Sequence, residues 1–192
     1  WSPPVTDIII SEYAEGSSYN KYIELYNGTA YDIDLADYEI WKITNGNSLW
    51  PGTGNNSTLT LNGILSSGET YVIAHSSADA VILNSADIVS GVLNYNGDDA
   101  IGLAKFDGNN FILIDAIGEE GVDPGTGWDI AGINSATKDH TLVRSIDVCN
   151  PETLWSVAVN QWDVYQNNDF SNIGVHQGCL NILPNVYGCT NP

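Results

Sequence analysis

Three cysteines, three histidines and a scatter of paired acids are the side chains of this sequence that could carry chemistry. Cys149, Cys179 and Cys189 fall within the last 44 residues, with 29 and then 9 residues between them. That spacing lacks the Cys-x-x-Cys pairs of a zinc site. In an oxidising compartment three thiols give one disulfide and one odd cysteine; Cys179 with Cys149 or with Cys189 is the favoured bond, and the odd thiol is open to another chain. Three buried free thiols are the bland alternative. His75, His140 and His176 stand alone, outside any Gly-x-Ser-x-Gly elbow, phosphate-binding loop or His-Glu-x-x-His pair, so structural roles are expected for them.

Hard-cation chemistry has more material. Asp32/Asp34/Asp37, Asn96/Asp98/Asp99 and Asp107/Asn109 gather oxygen ligands at turns, and calcium is the cofactor such groups would take. Asp98 and Asp99 are the chosen pair, because adjacent carboxylates repel and a cation relieves them. The competing reading is that Asp and Asn at hairpin turns serve backbone geometry. Trp41, Trp50, Trp128, Trp155 and Trp162 could form a platform for a glycan, though tryptophans of a β-sandwich usually fill its core or cover its edges. Asn27-Gly28-Thr29, Asn55-Asn56-Ser57 and Asn56-Ser57-Thr58 match the glycosylation triplet, a match common by chance in so Asn-rich a chain.

The elements that must position these groups are short strands. Of 192 residues, 21 are Asn, 19 Gly and 16 Asp, the types that supply turns and positive φ angles. Alternating apolar runs predict strands at 8–13, 22–26, 38–44, 57–61, 70–75, 88–93, 100–106, 110–117 and 141–144. Asn45-Gly46, Asn62-Gly63, Ser67-Gly68, Asn96-Gly97 and Asp107-Gly108-Asn109 punctuate them, the last as a tight hairpin. Residues 76–87 are the one helix expected, two turns at most, capped by Ser76 or Ser77. The fold class is all-β, a β-sandwich over residues 1–146. Residues 147–192 hold every cysteine and read as a C-terminal extension wrapped on the sandwich or on a neighbour, too poor in aliphatic residues for a core of their own.

Charge narrows the partners. With 24 acidic and 5 basic side chains the chain carries −19, which disfavours nucleic acid and anionic membrane surfaces. No apolar run is long enough to insert in a membrane. The acidic, Lys-poor composition suits an extracellular location, and the start at Trp1-Ser2-Pro3-Pro4 suggests a processed product or a segment of something longer.

Several ordered pieces resemble a known family. Ile8-Ile9-Ile10-Ser11-Glu12-Tyr13, Lys21-Tyr22-Ile23-Glu24-Leu25-Tyr26-Asn27 and Ile33-Asp34-Leu35-Ala36-Asp37-Tyr38 are similar to the start of a lamin tail domain of the secreted bacterial type. Ile64 to Ala74, Asn96 to Leu103, Ile114 to Gly118, Trp128 and Thr141 to Arg144 resemble its later strands. The resemblance covers roughly residues 5–146. It implies an immunoglobulin-like sandwich without catalytic residues, used as an accessory or surface module. No heptads accompany it, so filament-rod biology is not implied.

Self-association is a separate expectation. Trp1, Val5, Ile182, Leu183, Val186 and Tyr187 make both ends apolar enough to dock on a neighbour by strand addition or tail docking. The functional expectation is a non-enzymatic extracellular structural or adhesive module, a self-assembling fibre subunit, with copies of itself or other cell-surface proteins as partners. The alternative is an accessory binding module, dependent on calcium or glycan, of a larger secreted nuclease or phosphoesterase.

Overall fold

The computed structural model describes residues 4–54 and 56–180. Among the described residues twelve strands are formed: β1 (Ile9–Glu15), β2 (Lys21–Tyr26), β3 (Ile33–Asp34), β4 (Tyr38–Ile43), β5 (Thr58–Thr60), β6 (Ile64–Leu65), β7 (Thr70–Ala74), β8 (Ile88–Val89), β9 (Ala100–Phe106), β10 (Phe111–Ile117), β11 (His140–Arg144) and β12 (Trp162–Tyr165). Two one-turn helices, α1 (Ala80–Leu83) and α2 (Trp155–Ala158), join them. A six-stranded sheet, ordered β12-β11-β1-β2-β7-β8, packs over a four-stranded sheet, β10-β9-β4-β5, while β3 and β6 pair separately. All pairings are antiparallel except β7 with β8. Ile23, Leu25, Ile40, Ile43, Ile101, Leu103 and Leu142 fill the space between the sheets.

The alternation read from sequence holds in β2 and breaks in β1. Opposite β2 the register of β1 shifts between Ile10 and Glu12, a bulge that adds one residue and reverses the faces beyond it. Ile8 and Ile10 point into the core, and after the bulge Tyr13 does so; Ala14 joins a second cluster on the outer face. That outer cluster, Ala14, Tyr22, Val72, Ala74, Ala78 and Ile82, is covered by Ala86, Phe170 and Ile173. Every residue of β1 and β2 is therefore buried, Glu12 and Glu24 included.

Two expected elements differ. The helix starts at Ala80, not after Ser76 or Ser77, because Ser77 N donates to His75 Nδ1 and a turn closes there first. Asn20 then clasps Asp79 through both side-chain atoms, fixing the residue from which the helix departs. The strand expected over 88–93 stops at Val89, where Ser90 accepts Val92 N and folds 91–93 into a 3-10 turn that delivers Val92 and Leu93 to the core. Within the extension, β12 hydrogen-bonds to β11 and becomes an edge of the large sheet. The Asp107 hairpin forms as expected, its carboxylate accepting Asn109 N and Asn110 N.

Candidate functional site

The structure separates the residues singled out from the sequence. Cys149 and Cys179 form a disulfide with Cα atoms 5.0 Å apart. Cys189, Trp1, Ile182, Leu183, Val186 and Tyr187 lie outside the described residues. Val5 is buried beside Gly28. Asp99 is 2% exposed and gives its oxygens to backbone amides: Oδ1 accepts Asn45 N at 3.0 Å and Oδ2 accepts Asn96 N at 2.9 Å. Those bonds hold the two turns, so Asp99 does not present a free pair of oxygens with Asp98. Asp98 instead lines a cavity of about 260 Å³ with Glu15, Asn96, Thr126 and Lys138. Among the described residues no three His, Cys, Asp or Glu side chains converge as a metal site. Asn27 is fully buried, its amide donating to Tyr31 O and Leu65 O, and is used by the loop rather than offered for glycosylation.

Each histidine has a local partner. His75 stacks on Tyr19 with ring centres 4.6 Å apart, His140 Nδ1 meets Lys138 O at 2.7 Å, and His176 packs edge-on to Tyr26 at 4.8 Å. They lie on different elements and do not assemble.

Two of the five tryptophans considered for a glycan platform border one cleft. Gly102 lies opposite Trp41 in the β9–β4 pairing, and its missing side chain leaves room for Trp50 and Leu113. Trp50 packs 6.3 Å from Trp41, and Trp155 meets Trp128 edge-on at 6.0 Å. Between Trp50 and Trp155 is a cavity of about 270 Å³, with Leu113 and Leu154 on its walls and Glu119 and Glu120 among its lining residues. Glu120 Oε1 accepts Trp50 N at 2.7 Å, which fixes one wall. The lining thus brings aromatic and carboxylate side chains to one cleft. Trp162 is elsewhere, its ring under the Arg144 guanidinium at 4.6 Å.

The most unusual chemistry was not foreseen from sequence: buried acids on the outer face of the six-stranded sheet. Glu12 and Glu24 are cross-strand partners at the β1 bulge, 1% and 0% exposed. Tyr22 Oη donates to Glu12 Oε1, and Glu12 Oε2 is buried without a partner. Glu24 accepts Ser11 Oγ at 2.7 Å and Gly174 N at 2.6 Å. Burial pushes the Glu12 carboxyl up to about 8 and that of Glu24 to about 7, because the charged form loses its hydration. His176 is held down at about 4, by burial first and then by the Arg144 charge. The signal available in sequence was an acid inside each of two strand-forming runs, Ile10-Ser11-Glu12-Tyr13 and Ile23-Glu24-Leu25.

Two packed antiparallel-rich sheets around an apolar interior form an immunoglobulin-like β-sandwich. The Lamin Tail Domain family model matches residues 2–124, and the chain belongs to that family. No curated protein matches the sequence. Among solved structures, a DUF4876 family protein from Bacteroides thetaiotaomicron is similar in fold, with 14% identity and a TM-score of 0.50 over 98% of this chain and 75% of that one.

Proposed function

We propose that this chain is a non-catalytic extracellular module with a structural or adhesive role, joining copies of itself or other cell-surface proteins. The observation that carries this reading is where the reactive groups go. Glu12, Glu24, Asp115 and Arg144 are each at most 1% exposed and serve to tie strands together. The Cys149–Cys179 disulfide supports an oxidising compartment. It also makes Cys189 the odd one of three cysteines, and a link between chains through it fits this reading. Light scattering after size exclusion, negative-stain microscopy and non-reducing gels test the assembly; a monomer at every concentration sinks it. Turnover on a panel of phosphodiesters and glycans sinks the non-catalytic part.

A second reading, an accessory binding module of a larger secreted enzyme, is favoured by the Trp50–Trp155 cleft. Titration calorimetry with neutral oligosaccharides, with and without calcium, tests it. Heat that disappears in Trp50→Ala supports this reading, and silence across the panel removes it.

A further inference from the structure

Two glycines shape the cleft between Trp50 and Trp155. A Cβ at Gly102 would stand 2.6 Å from Leu113 and 3.1 Å from the Trp50 ring, so this position of β9 is what lets Trp50 lie down on the four-stranded sheet. Gly118, at φ +84°, would bring a Cβ within 2.5 Å of Trp128, the ring against which Trp155 is packed. The left-handed backbone and the close approach both require glycine there. Trp50 is half-buried, Leu154 is 62% exposed, and the exposed Glu119 and Glu120 add two carboxylates to the same lining. No lysine, arginine or histidine is among the described residues that line it.

The chain's own cations are placed elsewhere. Lys21, Lys105 and Arg144 are in ion pairs, Lys42 Nζ donates to Asn94 O, and Lys138 lines the cavity beside Glu15 and Asp98. An organic cation answers both halves of the Trp50–Trp155 lining. A guanidinium or ammonium is drawn to an indole face by the ring quadrupole, its aliphatic stem covers apolar surface, and carboxylates meet its charge. A neutral sugar would leave both carboxylates without a counter-charge. At about 270 Å³ the cavity is at the small end of ligand sites, with room for one such group. With 24 acidic side chains against 5 basic ones, the chain attracts a basic partner at long range and repels a second copy of itself.

We propose that this cleft is the docking site for a lysine or arginine side chain of a basic partner protein, held between Trp50 and Trp155 with its charge toward Glu119 and Glu120. The proposal rests on the structural or adhesive reading above and supplies the chemistry of the partner. High salt weakens such docking, because the carboxylates are exposed.

Titration of the whole disulfide-bonded chain tests this, followed by the indole N–H signals of Trp50 and Trp155 in nuclear magnetic resonance. The probes are glycine-flanked pentapeptides with blocked ends and a central lysine, arginine or acetyl-lysine. Trp162, whose ring lies under Arg144, is the internal control. Saturable shifts of Trp50 and Trp155 are expected with lysine or arginine. Acetylation, or Glu119→Gln/Glu120→Gln in the protein, should weaken them about fivefold or more, the scale of exposed charge and ring contacts. Glutamine at 120 still offers an oxygen to Trp50 N, so the cleft keeps that wall. If the double variant does not fold, Leu154→Lys, which sets a cation among the lining residues, should weaken the peptides by a similar factor. Equal affinity for the acetylated peptide, unchanged affinity in the variant, shifts confined to Trp162, or no shifts at all would overturn the proposal. So would tighter binding of neutral or amino-bearing oligosaccharides at the same indoles. Indole shifts that appear with protein concentration alone and vanish in Lys138→Ala would also overturn it, making a second copy the occupant. Should no peptide bind, the adhesive reading still stands or falls on its own assembly measurements.

Discussion

Arg144 and Asp115 meet between the two sheets with no exposed surface on either, Arg144 Nη2 donating to Asp115 Oδ1 at 2.9 Å. The same carboxylate accepts Ile10 N through Oδ2 and Ala116 N and Glu152 N through Oδ1. One side chain thus joins β10, the start of β1, β11 and the extension. A buried pair of charges adds little net stability where apolar residues could replace it, but losing one member is strongly destabilising. Asp115→Ala should lower unfolding free energy by about 3–5 kcal/mol in urea titration. Unlike a simple ion pair, replacing both partners by apolar residues should not restore stability, because the amides of Ile10 and Glu152 lose their acceptor. A double variant as stable as the native chain would contradict this.

Global stability should be highest at mildly acidic pH. Glu12 and Glu24 have folded-state values raised above the ordinary 4.5, so their protonated forms favour folding fully below that value. As pH rises, each removes about 1.4 kcal/mol per unit until its folded value, about 7 or about 8, is passed. His176, lowered from 6.5 to about 4, acts oppositely and removes stability as pH falls through that window. Two groups outweigh one, so denaturant midpoints should decline from about pH 5 to pH 8, and Glu12→Gln should flatten the slope. A midpoint that climbs over this range would sink the assignment.

Reducing the disulfide should weaken the fold without abolishing it. The bond closes a loop spanning 30 positions, for which loop-closure entropy gives about 3–4 kcal/mol. Cys149→Ser/Cys179→Ser should show that loss in chemical denaturation, with 145–165 exchanging faster than β4. Equal stability of the reduced and oxidised chains would disprove it.

Tyr95 is a smaller and cleaner test. It is buried and stacked on Tyr13, and its one hydroxyl proton is shared between Ala14 O and Tyr22 O on adjacent strands, both at 2.8 Å. Tyr95→Phe keeps the ring and removes the clasp, which should lower stability by about 1–2 kcal/mol in thermal or urea unfolding.

The strands were legible where one face is apolar and the turn residues are diagnostic. Ile23 and Leu25 alternate cleanly in β2, and Asp107-Gly108-Asn109 announced its hairpin. What the sequence hid was anything decided by a long-range partner. The bulge in β1 reverses which face Glu12 occupies, and local periodicity carries no trace of it. Arg144 looked like an ordinary polar strand end, yet its fate depends on Asp115, 29 residues earlier. The Asp98-Asp99 pair shows the same dependence on distant partners: composition pointed to a cation, and the structure gives Asp99 to the backbone amides of Asn45 and Asn96. The acids that matter most sit in strands, where charge is rare and the eye reads only the apolar neighbours.

The family match ends at residue 124, whereas β11 and β12 occupy residues 140–144 and 162–165 and complete one side of the large sheet. The stretch that sequence comparison can recognise is therefore shorter than the stretch that folds together. A piece excised at that boundary would turn β1, central in the native sheet, into a raw edge with unpaired amides and carbonyls. It would also remove Arg144 and Glu152 from around Asp115. Anyone borrowing this sandwich as a building block must carry the last third of the chain along with it.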